Sequence, residues 1–187
     1  MSLSNINSLL SYLPELILVL SILCVFLMES FSKYRSLTFI ATVIGLLVTA
    51  VFLFFTSSID IALFNGMIVH DSFSIYFKWF ILLSTLSIVL ISKDDNSVMS
   101  AVKGEYYGML LIIMLGMFTM VSAKNLLMVY LAIEMVSIPS YIIAGISNNG
   151  KESNEASLKY VIYGSFASGV MLFGLSILYG VSGSMDI

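Results

Sequence analysis

The sequence predicts an all-α fold, a polytopic transmembrane helical bundle of about six spans with its N-terminus outside. Two observations predict it. Hydrophobic residues make up 59% of the chain and charged ones only 10%, against roughly a quarter charged in soluble domains. The apolar residues also gather into runs that approach the ~20 residues needed to cross a ~30 Å hydrocarbon core. A chain with so little polar surface is solvated by lipid rather than by water.

Turn residues and charges divide the sequence into spans at about residues 13–31, 37–56, 72–91, 106–122, 125–146 and 157–179. The first opens with Pro14, which suits a first helical turn because its missing N–H would be unbonded there anyway. It is flanked by Glu15 and Glu29, both near its ends, where a carboxylate reaches the interface. The stretch from Met1 to Leu10 lacks Lys and Arg, so no basic signal-peptide region precedes it, and the run reads as a retained helix. Cys24 within it reads as a small buried apolar residue. Residues 36–59, around the second span, and 160–185, in the sixth, carry no ionisable group other than tyrosine hydroxyls. The third is interrupted by Lys78, read as snorkelling toward the outer interface. His70, the sole histidine, lies at the outer end of that span.

Spans four and five are joined by a very short link at Ala123 and Lys124, so they are antiparallel neighbours. The link before span six runs Ser-Asn-Asn-Gly from Ser147, a turn composition. Ser153 with Glu155 behind it reads as the helix start. No linker, low-complexity tract or short repeat divides residues 1–187, so one transmembrane domain is expected. Lys33, Arg35, Lys93, Lys103 and Lys151 fall in the odd-numbered loops, and only Lys124 falls on the other side. That bias places the odd loops in the cytoplasm or matrix.

Soluble catalytic signatures are absent. The sequence has no dinucleotide-binding glycine loop, no phosphate loop and no His-x-x-x-His pair, and nothing in it would hold a flavin, a nicotinamide or an iron–sulfur cluster. No metal ligand set and no basic patch for nucleic acid stand out. Chemistry therefore rests on charges within the bilayer. Glu134 is the strongest candidate, with nine uncharged residues before it and sixteen after it. It lies on the order of 13 Å along its helix. Acids at such depth are costly and commonly mark ion or proton paths; the alternative is a neutral, hydrogen-bonded structural acid. Pro139, five residues on, removes a backbone hydrogen bond and predicts a kink. That kink serves either packing or the exposure of carbonyls to a cavity. Lys159 lies roughly 9 Å into the sixth helix. It either snorkels to the cytoplasmic face or faces inward as a proton-carrying partner of Glu134. Gly164, Ser165, Ala167, Ser168 and Gly169 form a small-residue face suited to close helix packing.

Three stretches together resemble a known family: Gly104-Glu-Tyr-Tyr-Gly-Met-Leu-Leu, Ser122-Ala-Lys-Asn-Leu-Leu-Met-Val-Tyr-Leu-Ala-Ile-Glu134, and Ser137-Ile-Pro-Ser-Tyr-Ile-Ile-Ala-Gly145. These are similar to the antiporter-like subunits of proton-pumping NADH–quinone oxidoreductase, respiratory complex I. Glu155-Ala-Ser-Leu-Lys159-Tyr, Gly164-Ser-Phe-Ala-Ser, Leu178-Tyr-Gly and the opening Leu13-Pro-Glu-Leu-Ile-Leu look most like subunit N. The resemblance implies that Glu134 drives or gates proton transfer and that Lys159 modulates the neighbouring channel. It implies no cofactor on this chain, with NADH, quinone, flavin and iron–sulfur clusters served by other subunits. The partners it implies are the other complex I membrane subunits and the lipid bilayer, with quinone only indirectly. The expected location is the bacterial inner membrane, or the mitochondrial one. Family members have about fourteen helices in two inverted repeats, so these six spans read as the N-terminal portion. Subunits of sodium/proton antiporters and membrane-bound hydrogenases share the motif. A non-transporting scaffold is the third alternative.

Overall fold

A computed structural model describes residues 12–31, 37–55, 61–94, 102–146 and 150–187. Six helices in it are long and apolar enough to cross a membrane: α1 (Leu13–Ser30), α2 (Thr38–Phe55), α3 (Ser72–Ser92), α4 (Lys103–Ser122), α5 (Leu126–Gly145) and α6 (Lys151–Ser182). Each expected span is present. Lys33 and Arg35, which entered the orientation argument, lie outside the described residues.

Helix ends follow local chemistry. Pro14 sits in the first turn of α1. Asp71 caps α3 through a reciprocal box: its Oδ1 accepts from the Ser74 N–H at 2.7 Å, and its own N–H donates to Ser74 Oγ at 3.1 Å. Such a box satisfies two backbone donors that the helix cannot. Asn125 caps α5 by accepting from the Leu127 N–H. The expected start of α6 at Ser153 is one turn late. The helix begins at Lys151, and the Ser153 hydroxyl instead donates to the Ala144 carbonyl at the end of α5. α5 continues as one helix through the buried Pro139.

The link between α2 and α3 holds structure that was not expected from sequence. β1 (Ile61–Leu63) and β2 (Ile68–His70) form a short antiparallel hairpin around a turn at Phe64, Asn65 and Gly66. All three turn residues have positive φ, a conformation costly for the phenylalanine. The Lys124 N–H, in the α4–α5 link, donates to the Met67 carbonyl. The hairpin is thereby fastened over one end of the bundle.

α4 is the centre of the packing. It contacts α1, α2, α3 and α5, while α6 packs chiefly along α5. Tyr107, Leu111, Met114 and Phe118 of α4 are buried against Leu18 and Val25 of α1, Leu46 and Leu53 of α2, and Leu82 and Val89 of α3. Small residues set the approach of the helices. A side chain at Gly116 would collide with Met135 and Val136 of α5, and one at Gly164 would overlap the Tyr141 ring. Of the small-residue face foreseen on α6, Gly164 has this packing role, but Gly169 faces open space. Cys24, expected inside, is exposed on α1. Much of the outer surface of α1, α2, α3 and α6 is large and apolar, as lipid or a neighbouring membrane protein requires.

Candidate site for intramembrane charge

Glu134 is the ninth residue of α5, roughly 12 Å from its start. Its side chain is half-buried. Oε1 is sealed from solvent and has no hydrogen-bond partner among the described residues. The α4 surface at Gly116 meets α5 at Ala132, Met135 and Val136, so a close helix crossing flanks the acid. An unbonded buried carboxylate oxygen is costly. It calls for a proton, a water or a cation.

Lys159 does not supply that cation here. It donates to Glu155 Oε1 at 2.5 Å, one turn away on α6, and both side chains are about two-thirds exposed, 65% and 66%. The two sequence-predicted site residues lie on neighbouring helices without pairing. An exposed intrahelical pair of this kind stabilises little. What it does is hold the ammonium on a face of α6 that carries no core.

A buried charge pair lies elsewhere, and it corrects two expectations. Lys78 does not snorkel. Its side chain is 1% exposed and its Nζ lies 2.6 Å from Glu15 Oε1, in a carboxylate that is 0% exposed. Glu15 likewise does not reach the interface. Glu29, at the opposite end of α1, is also buried, against the space left by Gly104. The reason is the same in both cases. A short acid on the inner face of a helix is closed off by the neighbouring helices, however near the helix end it stands.

The pair sits beneath the hairpin. Lys78 Nζ is 5.9 Å from the centre of the Phe118 ring. Tyr12 stands beside it, its hydroxyl 3.5 Å from Thr119 Oγ1. Burial and then the Glu15 carboxylate push the Tyr12 phenol up to about 12, so it stays protonated. His70, closing β2, is 3% exposed, and its Nε2 has no hydrogen-bond partner among the described residues. Burial and then the Lys78 ammonium lower its pKa, against the opposing pull of Glu15 and Asp71. Sequence reasoning missed this cluster. Its only trace was three ionisable residues, Glu15, His70 and Lys78, beside otherwise apolar runs.

The chain is similar along nearly all of its length to proteins of one kind. It is 40% identical to the NADH-quinone oxidoreductase subunit N of Anaeromyxobacter sp. (strain Fw109-5) over 98% of this chain and 36% of that protein. It is 40% identical to a subunit N 2 of Chloroherpeton thalassium over 95% and 36%. The chain thus spans just over a third of the length of these relatives. A chain of respiratory complex I from Thermus thermophilus with bound aureothin superposes with a TM-score of 0.76 at 27% identity, over 92% of this chain and 38% of that one. An archaeal membrane-bound sulfane sulfur reductase shares the fold at a TM-score of 0.76 and 20% identity, over 95% of this chain and 38% of that one. Residues 123–187, which hold α5 and α6, match the family model for the NADH:quinone oxidoreductase/Mrp antiporter transmembrane region. Glu134 and Lys159 lie inside that matched region, and the likeness to NADH-quinone oxidoreductase subunit N runs on through α1 to α4.

Proposed function

We propose that this chain is the N-terminal part of a membrane subunit that contributes to proton translocation coupled to NADH oxidation and quinone reduction. The observation that carries the proposal is the Glu134 carboxylate, set mid-helix with Oε1 buried and without a hydrogen-bond partner among the described residues. A buried carboxylate oxygen so placed is satisfied by a proton, a water or a cation brought to it. Charge moved nearby acts on it with little water to screen the interaction. Lys159, on the adjacent helix and held by Glu155, is the proposed modulating charge. Exchange of its partner from Glu155 to a group nearer Glu134 would lower the cost of an ionised acid. Redox chemistry and its cofactors belong to other subunits, and quinone reaches this chain only through them. The odd loops face the cytoplasm of a bacterial inner membrane in this reading, and the other complex I membrane subunits cover part of the apolar surface.

The test is Glu134→Gln in the assembled complex, reconstituted into proteoliposomes. NADH-driven proton uptake should be lost while NADH oxidation by an artificial electron acceptor persists. Undiminished pumping refutes a proton role for Glu134 and favours a scaffold. A sodium gradient in place of a proton gradient would favour the antiporter reading instead.

A further inference from the structure

We propose that Glu15, Lys78 and His70 form a second protonatable site, a buried proton-exchange cluster at the hairpin end of the bundle and separate from Glu134. Three observations converge on it. Glu15 and Lys78 are 63 positions apart in sequence, on α1 and α3, yet they pair at 2.6 Å with almost no exposure. Glu15 retains a second oxygen, Oε2, that is buried without a hydrogen-bond partner among the described residues. His70 presents a buried Nε2 that also lacks one, close enough to feel both charges. Buried polar atoms are almost always satisfied by protein or by ordered water. Two open positions around one ion pair therefore describe a small polar niche that would hold a water.

The charge arithmetic decides which group receives the proton. With the Glu15 carboxylate ionised, the Lys78 ammonium charged and His70 neutral, the niche has no net charge. A proton entering from the hairpin side binds the free lone pair of Nε2 and leaves the niche with one positive charge. The Glu15 carboxylate then has two cations in its surroundings, Lys78 and the His70 ring. Release of the proton to water restores the neutral state, and no other bond is made or broken.

The surroundings are sparse in other charge. Asp71 and Tyr12 face the cluster, and Lys124 stands in the same corner through its backbone bond to Met67. Asp186 lies beside Asn125 at the edge of that corner. Phe118 and Thr119 are what α4 contributes, and the described residues of α2 carry no ionisable group.

The experiment is nuclear magnetic resonance of the full-length protein with 15N-labelled histidine in lipid nanodiscs, titrated from about pH 4 to 8 around the ordinary histidine value. The variant His70→Gln identifies the His70 ring signals. They should titrate with a midpoint below the ordinary histidine value. Lys78→Met should move that midpoint up, Glu15→Gln should move it down, and Glu134→Gln should leave it in place. The double variant Glu15→Gln/Lys78→Met covers failure of either single variant to accumulate. It should move the midpoint up, because the Lys78 charge acts on His70 more strongly than the Glu15 charge does. A ring that stays neutral throughout, or a midpoint indifferent to both charges, overturns the proposal and leaves the pair as a fixed clamp. Neither result bears on Glu134, whose role is read from pumping.

Discussion

Removing one member of the Glu15–Lys78 pair should harm the fold far more than removing both. The structure sets the scale. The carboxylate is 0% exposed, the ammonium 1% exposed, and they meet at 2.6 Å. Loss of one partner from a buried ion pair costs about 3–5 kcal/mol, because the other charge stays behind in an apolar interior. Replacing both by apolar or neutral groups of similar volume is often neutral or even stabilising. For a chain of this size about 1 kcal/mol corresponds to roughly 2–4 °C in Tm. Lys78→Met and Glu15→Gln should each lower Tm by on the order of 6–20 °C. The double variant should fall within a few degrees of the parent. Trp79 is the only tryptophan in the sequence and is next to Lys78, so its fluorescence during thermal unfolding in a mild detergent reports on this corner. Helix content by circular dichroism serves as the second probe. Single variants that cost no more than the double would refute the burial argument and return Lys78 to the membrane surface.

Two further outcomes test the packing and the capping. Gly164→Ala puts a methyl into the Tyr141 ring and should cost about 1–3 kcal/mol as overpacking; Tyr141→Ala in the same chain should recover part of it, which thermal unfolding checks. Asp71→Ala removes the acceptor of the α3 cap and should cost about 1 kcal/mol, whereas Asp71→Asn should keep most of it, both read from the same unfolding curves.

The bundle was legible because hydrocarbon offers the backbone no hydrogen-bond partner. A helix bonds all its own backbone groups, so length and apolarity alone mark a span. All six helices stand where the apolar runs stand. The hairpin was not legible for the opposite reason. Ile61–Leu63 and Ile68–His70 are three residues each, too short for a period-two pattern to show. Their pairing depends on a turn with positive φ at Phe64, a residue with no preference for it. The early start of α6 has a similar cause. Ser153 has the chemistry of a cap, but the Ala144 carbonyl of a different helix takes its hydroxyl. Tertiary contact overrode the local signal.

Depth in a membrane protein has two axes, and the sequence reports only one. Position along a helix is legible from residue count, and it identified Glu134 as deep. Position around the helix is set by neighbours, and there the hydrophobic pattern is weak because lipid and core are both apolar. Glu15 shows the consequence. It stands near the end of α1, which predicts access to water, but it points at α3 and is sealed by it. Lys159 shows the reverse. It stands inside a long span, yet it lies on the open side of α6 beside Glu155. A lysine can pay for hydrocarbon only where an acid waits, so burial of Lys78 is decided by Glu15, 63 positions earlier in the sequence. The same rule bears on Glu134. Its Oε1 is buried without a hydrogen-bond partner among the described residues, so a group brought close to it has more effect there than at an exposed acid, and that sensitivity is what the proposed proton role requires.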